Sequence, residues 1–149
     1  MLAFFISGCS ANESFIDPLK PEFETISFDV VQKQLLIETD LPKYLENIIS
    51  HWFNQRVKID GFDGDMKFTV SNFTQSISSI SDGKRVDVSL SFSVLLEKPS
   101  LSQMKFIEGN ISSYGTLTGN FSLSEFDTVI QNTQSDLILR LSKDLKSKI

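Results

Sequence analysis

One segment of the chain strongly limits the folds that it can adopt. From residue 86 to residue 94 every second side chain is apolar, and the side chains between them are serine or aspartate. Because successive side chains of a strand point to opposite faces, this segment predicts a strand with one buried face and one face that meets water or a polar partner. Its sheet is therefore expected to be covered on one face only. The apolar positions are Val86, Val88, Leu90, Phe92 and Val94, continued by Leu96.

Two earlier segments predict strands of the same kind. Apolar residues alternate from Ile26 to Val30 and again from Met66 to Val70, as expected for strands with one buried face. The alternation then shifts by one residue near Phe73, which predicts a β-bulge.

A hairpin and a fourth strand complete the predicted sheet. The dipeptide Asp82-Gly83 is a strong signal for a tight turn between two antiparallel strands. Residues 104–118 predict the last strand, with an interruption at Gly109 and Asn110.

Two segments have the three- and four-residue apolar spacing of amphipathic helices. The first follows Asp40, which we expect to cap it, has Pro42 in its first turn and ends near Gly61. The second opens with a capping box formed by Ser122 and Glu125 and runs to the end of the sequence. The element order is then β-α-β-β-β-α, which predicts an α+β fold: a four-stranded antiparallel sheet with both helices on one face, in a single domain over residues 23–149.

Composition and motifs argue against several functions. A net charge of -5 is unfavourable for binding nucleic acid, and no apolar run approaches the ~20 residues of a membrane-spanning helix. His51 is the only histidine and has no identifiable catalytic partner, so we predict no catalytic residues and no enzyme activity. The acidic loop from Asp60 to Asp65 lacks the glutamate of a calcium-binding EF-hand loop, and we predict neither a metal nor a cofactor.

The one cysteine lies close to the start of the sequence, where an apolar segment gives way to polar residues. The segment Ile6-Ser7-Gly8-Cys9 resembles the lipobox of bacterial lipoproteins. This resemblance implies that the Cys9 sulfur receives diacylglycerol and that cleavage of a signal peptide, of which residues 1–8 are the remnant, then leaves Cys9 as the N-terminus. Residues 9–22 would tether the domain to a membrane. The alternatives are a small residue in a buried strand or, less favoured, a catalytic thiol.

Two further features bear on this anchor. The first basic residue is Lys20, whereas signal peptides begin with a basic region, so we expect translation to start upstream. Ser10 follows the cysteine, where lipoproteins retained in the inner membrane have aspartate. The lipobox resemblance therefore implies the periplasmic side of the outer membrane.

The spacing of Trp52, Arg56, Gly61 and Gly64 resembles that of small alphaproteobacterial lipoproteins of uncharacterised role. It makes Trp52 and Arg56 candidate interaction residues; the alternative is that Trp52 lies in the core, Arg56 is a solvated helix residue and the glycines form a turn.

The predicted element order resembles the lipopolysaccharide-assembly lipoprotein family, which implies an outer-membrane barrel and lipopolysaccharide as partners. We therefore predict a non-catalytic accessory or assembly subunit of the cell envelope, held to the membrane by its lipidated cysteine. The alternative is a carrier of an apolar ligand, suggested by the 13 phenylalanines. A secreted enzyme that uses surface serines has the least support.

Overall fold

The computed structural model describes residues 22–149, which form two helices and two sheets. The strands are β1 (Ile26–Phe28), β2 (Gln32–Ile37), β3 (Val57–Ile59), β4 (Asp65–Ile80), β5 (Gly83–Lys98) and β6 (Gln103–Thr118), and the helices are α1 (Lys43–Arg56) and α2 (Leu123–Lys148). Strands β2, β4, β5 and β6 form the main sheet in that order, and β1 pairs with β3 in a second sheet. Cys9 and the predicted tether up to residue 21 lie outside the described residues.

Three long antiparallel strands form most of the main sheet, as their alternating sequences predict. Strands β4, β5 and β6 each have 16 residues, and β4 leads into β5 through a two-residue turn that contains Asp82. The predicted bulge is confirmed, because the register of β4 against β5 shifts between Ser71 and Thr74. Asn72, inside the shift, has a positive φ of 55°, a conformation that asparagine accepts more readily than most residues.

The predicted interruption of β6 at Gly109 and Asn110 is wrong. Every residue of β6 is paired with β5, and Gly109 lies opposite Phe92. The glycine belongs in the strand because there is no space for a side chain: a Cβ atom on Gly109 would lie 2.6 Å from the Phe92 ring and 2.4 Å from the Asp144 carboxylate. Gly109 therefore lets the end of α2 pack closely on the sheet.

The predicted strand order and the all-antiparallel sheet are also wrong. The structure has the order β-β-α-β-β-β-β-α, and β2, a strand that we did not predict, pairs with β4 in parallel. The parallel pair arises because the chain passes from β2 through α1 before it returns along the same direction as β4. The predicted first strand exists as β1, but it pairs in parallel with β3 rather than with the main sheet.

Helix α1 is shorter than predicted at both ends. Its N-cap residue is Pro42, in an extended conformation and without a side-chain cap, so Asp40 does not cap the helix. The Pro42 carbonyl instead accepts the hydrogen bond from the Glu46 amide at 2.9 Å. The helix ends at Arg56 rather than near Gly61, because the next three residues form β3 and pair with β1.

Both helices pack on the same face of the main sheet, as predicted. Phe68 of β4 contacts the rings of Trp52 and Phe53 of α1, with centroid distances of 5.4 and 5.9 Å. It also stacks on Phe92 of β5 at 5.8 Å, and Lys148 of α2 lies 5.9 Å above that ring. The aromatic side chains therefore join α1, α2 and the sheet in one core.

The start of α2 is confirmed in detail. The Ser122 hydroxyl accepts a hydrogen bond from the Glu125 amide, and the Glu125 carboxylate accepts one from the Ser122 amide. Both bonds satisfy backbone groups that the first turn of a helix leaves without partners.

Lys33 of β2 holds the C-terminal end of α1. Its ammonium group donates to the carbonyls of Phe53 at 2.7 Å and Val57 at 2.6 Å, and it lies 4.8 Å from the centroid of the Phe53 ring. Partial burial lowers the pKa of Lys33. The lysine thus supplies donors to carbonyls that a helix end leaves without intrahelical partners.

We expect Lys33→Met to lower the free energy of unfolding by about 1–2 kcal/mol, since methionine keeps the apolar stem but removes both hydrogen bonds. Urea denaturation followed by circular dichroism would measure the change. Lys105→Met, at an exposed position of β6, is the matched control and should change stability by less than about 0.5 kcal/mol. Equal losses in the two variants would contradict this role for Lys33.

Candidate interaction surface

The two residues predicted from the sequence to contact a partner, Trp52 and Arg56, instead make contacts within the domain. Trp52 is 0% exposed in the core, where it packs on Phe68. The Arg56 side chain donates from Nε to the Phe23 carbonyl at 3.1 Å, and Phe23 itself is buried. Trp52 and Arg56 therefore join α1 to the sheet and to the segment before β1. Cys9, the predicted lipidation site, is outside the described residues.

The face of the main sheet opposite the helices is the candidate interaction surface, and we call it the open face. No helix or strand within residues 22–149 covers it. Its central rows carry short polar side chains, as the sequence of β5 predicts: Ser91 pairs with Ser71 and Asn110, and Ser93 pairs with Thr69 and Glu108.

One end of the open face carries three apolar side chains, and we call Leu95, Met104 and Phe106 the apolar end. Lys67 lies opposite Leu95 and Glu97 lies opposite Met104. Leu95 of β5 is paired with Phe106 of β6, and Met104 lies two residues before Phe106 on the same face. Met104 is 69% exposed and Phe106 is 57% exposed. Contiguous apolar side chains of this size on a surface are typical of sites that contact another molecule.

Two more apolar side chains are exposed beside the apolar end. Phe62, in the loop before β4, is fully exposed, and Leu101, in the turn between β5 and β6, is 58% exposed. A hydrogen bond from the Ser100 hydroxyl to the Asp63 carboxylate joins the loop and the turn. This end of the domain therefore presents several apolar groups together.

Sequence reasoning missed the apolar end, although the sequence contains a signal for it. In β6 the buried residues Ile107 and Ile111 lie on the helix-covered face, whereas Met104 and Phe106 have the opposite parity. A strand with apolar residues on both faces near one end differs from β5, whose open face is polar until Leu95. This difference in parity is the sequence signal for the apolar end.

The other end of the open face carries charge. The Arg85 guanidinium lies 4.0 Å from the centroid of the Tyr114 ring and pairs with the Asp87 carboxylate at 3.0 Å. Its hydrogen bond to Asp87 raises the pKa of Arg85 further, so the guanidinium stays charged at all physiological pH values.

No group of three or more His, Cys, Asp or Glu side chains within residues 22–149 is placed to hold a metal ion. His51 is exposed on α1. No helix in this part of the chain is long and apolar enough to cross a membrane.

Half of the ten phenylalanines within residues 22–149 are occupied in core packing. Five of them are buried in the core, at positions 23, 28, 53, 68 and 92. Four grooves on residues 22–149 are lined mainly by surface side chains. The helix–sheet interface is thus held together by ring contacts of the kind described for Phe68.

No family model and no curated protein matches this chain. Among solved structures, a minor lipoprotein from Acinetobacter baumannii is similar over 80% of this chain and 94% of its own, with 9% identity and a TM-score of 0.53. A candidate lipoprotein from Caulobacter crescentus covers 75% of this chain and 86% of its own, with 11% identity and a TM-score of 0.40. A lipoprotein from Neisseria meningitidis covers 72% and 99%, with 11% identity and a TM-score of 0.35. The first likeness shows the fold, and these neighbours are bacterial lipoproteins.

Proposed function

We propose that this protein is a bacterial envelope lipoprotein that acts without catalysis, as an accessory subunit that binds a second envelope protein. Cys9 carries the lipid and fixes the chain to the periplasmic side of the outer membrane. The lipobox-like segment, the Ser10 that follows it and the fold shared with the Acinetobacter lipoprotein support this proposal.

The exposed apolar end is the observation that carries the proposal of a protein partner. Phe106 and Met104 are more than half exposed on a strand that no described element covers. Aromatic residues and methionine are enriched in protein interfaces, where they provide large apolar contact areas. Burying these side chains against a partner would remove from water an apolar surface that residues 22–149 leave uncovered.

The start of the domain leaves the open face accessible to a partner. Glu24 forms an ion pair with Lys146 of α2, which lowers the pKa of Glu24, and Arg56 of α1 holds the Phe23 carbonyl. Both contacts are with the helices, so the tether joins the domain on the side opposite the open face. Residues 10–22, when extended, reach about 45 Å, which is enough to hold the domain clear of the lipid headgroups.

A photo-crosslinking experiment tests the proposed partner contact. A photoreactive phenylalanine analogue replaces Met104 in the chain expressed in its own cells, and adducts are identified by mass spectrometry after detergent extraction. We expect one discrete adduct with an envelope protein, of which an outer-membrane barrel is the kind implied by the resemblance. Adding Phe106→Asp should reduce its yield by about tenfold or more, because a charge replaces a central aromatic contact.

The control places the same analogue at Leu123, which is 77% exposed at the start of α2, near the opposite end of the sheet. No adduct with that partner is expected from this position. The proposal is contradicted if Met104 gives no discrete adduct, or if Phe106→Asp leaves its yield unchanged.

A further inference from the structure

A groove of about 320 Å³ lies at the charged end of the open face. Its floor consists of two rows of side chains that cross strands β4, β5 and β6. The first row is Thr74, Ser89 and Ser112, and the second is Ser76, Asp87 and Tyr114.

Local backbone geometry contributes to this groove. The bulge in β4 lies directly before Thr74, and bulges bend a strand, increase its twist and redirect the side chains next to them. The Arg85 guanidinium, stacked on the Tyr114 ring, forms a wall on one side. The groove is therefore a concave site with one aromatic side chain and many polar groups.

Each arginine that lines the groove is balanced by a paired carboxylate. Arg85 pairs with Asp87 at 3.0 Å and Arg140 pairs with Asp136 at 2.8 Å, and all four side chains are between 39% and 56% exposed. Each guanidinium offers only donors and each carboxylate offers only acceptors. The groove thus presents the donors of two arginines and the acceptors of Asp87, while Asp136, the partner of Arg140, lies outside the lining.

This balance restricts the ligands that fit. An anion would accept from the arginines but face the Asp87 carboxylate, and a cation would meet the opposite conflict with Arg85. An apolar ligand would remove the hydroxyls and ion pairs of the lining from water without replacing the hydrogen bonds that water makes to them, at a desolvation cost. A ligand rich in hydroxyl groups donates and accepts at the same atoms and can satisfy the whole lining.

We infer that this groove binds an uncharged saccharide. Hydroxyls of the sugar exchange hydrogen bonds with Asp87, Arg85 and the serines of the floor. The apolar C–H face of the sugar ring packs on Tyr114, which is 59% exposed and combines an apolar ring with a polar hydroxyl. The inference is independent of the lipid anchor and of the apolar end.

Titration of the full chain with defined sugars tests this inference. The protein is kept in a polyoxyethylene detergent, which has no sugar headgroup, and binding of maltotriose, cellotriose and chitotriose is followed by saturation-transfer NMR. We expect saturable binding of at least one of these trisaccharides. Tyr114→Ala should weaken it by about tenfold or more through loss of the ring.

Matched variants and ligands make the test decisive. Phe106→Ala removes an equally exposed ring from the same strand and should leave the affinity unchanged. Ser112→Val places a strand-compatible side chain in the floor and should abolish binding while the circular dichroism spectrum stays unchanged. Glucose binding as tightly as the trisaccharide indicates a free sugar as ligand, whereas binding of the trisaccharide alone indicates one stretch of a glycan chain.

Three results would overturn the inference. The first is that none of the three trisaccharides binds. The second is that inorganic phosphate or trigalacturonate binds more tightly than the neutral sugars, which would make the groove an anion site. The third is that binding persists unchanged in both Tyr114→Ala and Ser112→Val.

Discussion

Replacing Phe68 with alanine is expected to lower the free energy of unfolding by about 3–5 kcal/mol. The side chain is 0% exposed, and its ring contacts those of Trp52, Phe53 and Phe92 within 6 Å between centroids. Alanine would leave a cavity at the point where α1 meets the sheet, and each neighbouring ring would lose a partner. A domain of this size is typically stable by only about 5–15 kcal/mol, so the variant should be close to unfolding at physiological temperature.

Guanidinium chloride denaturation, followed by the fluorescence of Trp52, would measure this loss. The control is Phe106→Ala, which makes the same chemical change at an exposed position of the same sheet and should cost less than about 1 kcal/mol. A loss for Phe68→Ala as small as the control would mean that α1 is not anchored through this ring.

The long elements of the fold are predictable because their sequences repeat one pattern over many residues. Strand β5 keeps its alternation of apolar and polar residues from Val86 to Val94. In α2, the apolar spacing and the Ser122–Glu125 capping box both predict the same helix. In each case local preference and burial favour the same structure, so the prediction does not depend on distant contacts.

The short elements are not predictable in this way, because contacts far apart in sequence decide them. In β2, the segment from Gln32 to Ile37 begins with polar residues and ends with three apolar ones, and this order has neither the strand nor the helix period. It becomes a strand because β4 offers an unpaired edge. In β3, Val57 continues the helical spacing of α1, and only pairing with Ile26 makes it extended.

The open face could be predicted only in part, because its apolar end also depends on contacts between residues that are far apart in sequence. The alternation in β5 indicates that one sheet face is polar, and the structure confirms that the helices leave that face open. The apolar end arises where Leu95 of β5 lies beside Phe106 of β6, a juxtaposition that requires the register of two strands. In contrast, Trp52 has the same sequence signal whether it packs inside or binds a partner, and its full burial identifies the first role.

Replacing Cys9 with serine, in a chain given a leader that is cleaved without lipidation, is expected to move the protein from the membrane fraction to the soluble fraction almost completely. Serine has nearly the same size but lacks the sulfur to which diacylglycerol would be attached, so the chain would keep its domain and lose its acyl chains. Each buried methylene contributes about 0.8 kcal/mol to membrane binding, and multiple chains hold a protein that one chain holds only reversibly. Loss of the lipid should therefore outweigh any weak contact of the domain with the bilayer.

The measurement is cell fractionation of the chain expressed from its own locus, with mass analysis of the N-terminus of the purified protein. Ser10→Ala is the matched control, since it changes the neighbouring residue but keeps the sulfur, and it should remain in the membrane pellet until detergent is added. The expected mass for the unaltered chain is that of a protein beginning at an acylated Cys9. An unmodified cysteine, or a Cys9→Ser protein that stays in the membrane pellet, would contradict anchoring at this residue and leave the crosslinking test of the apolar end as a separate question.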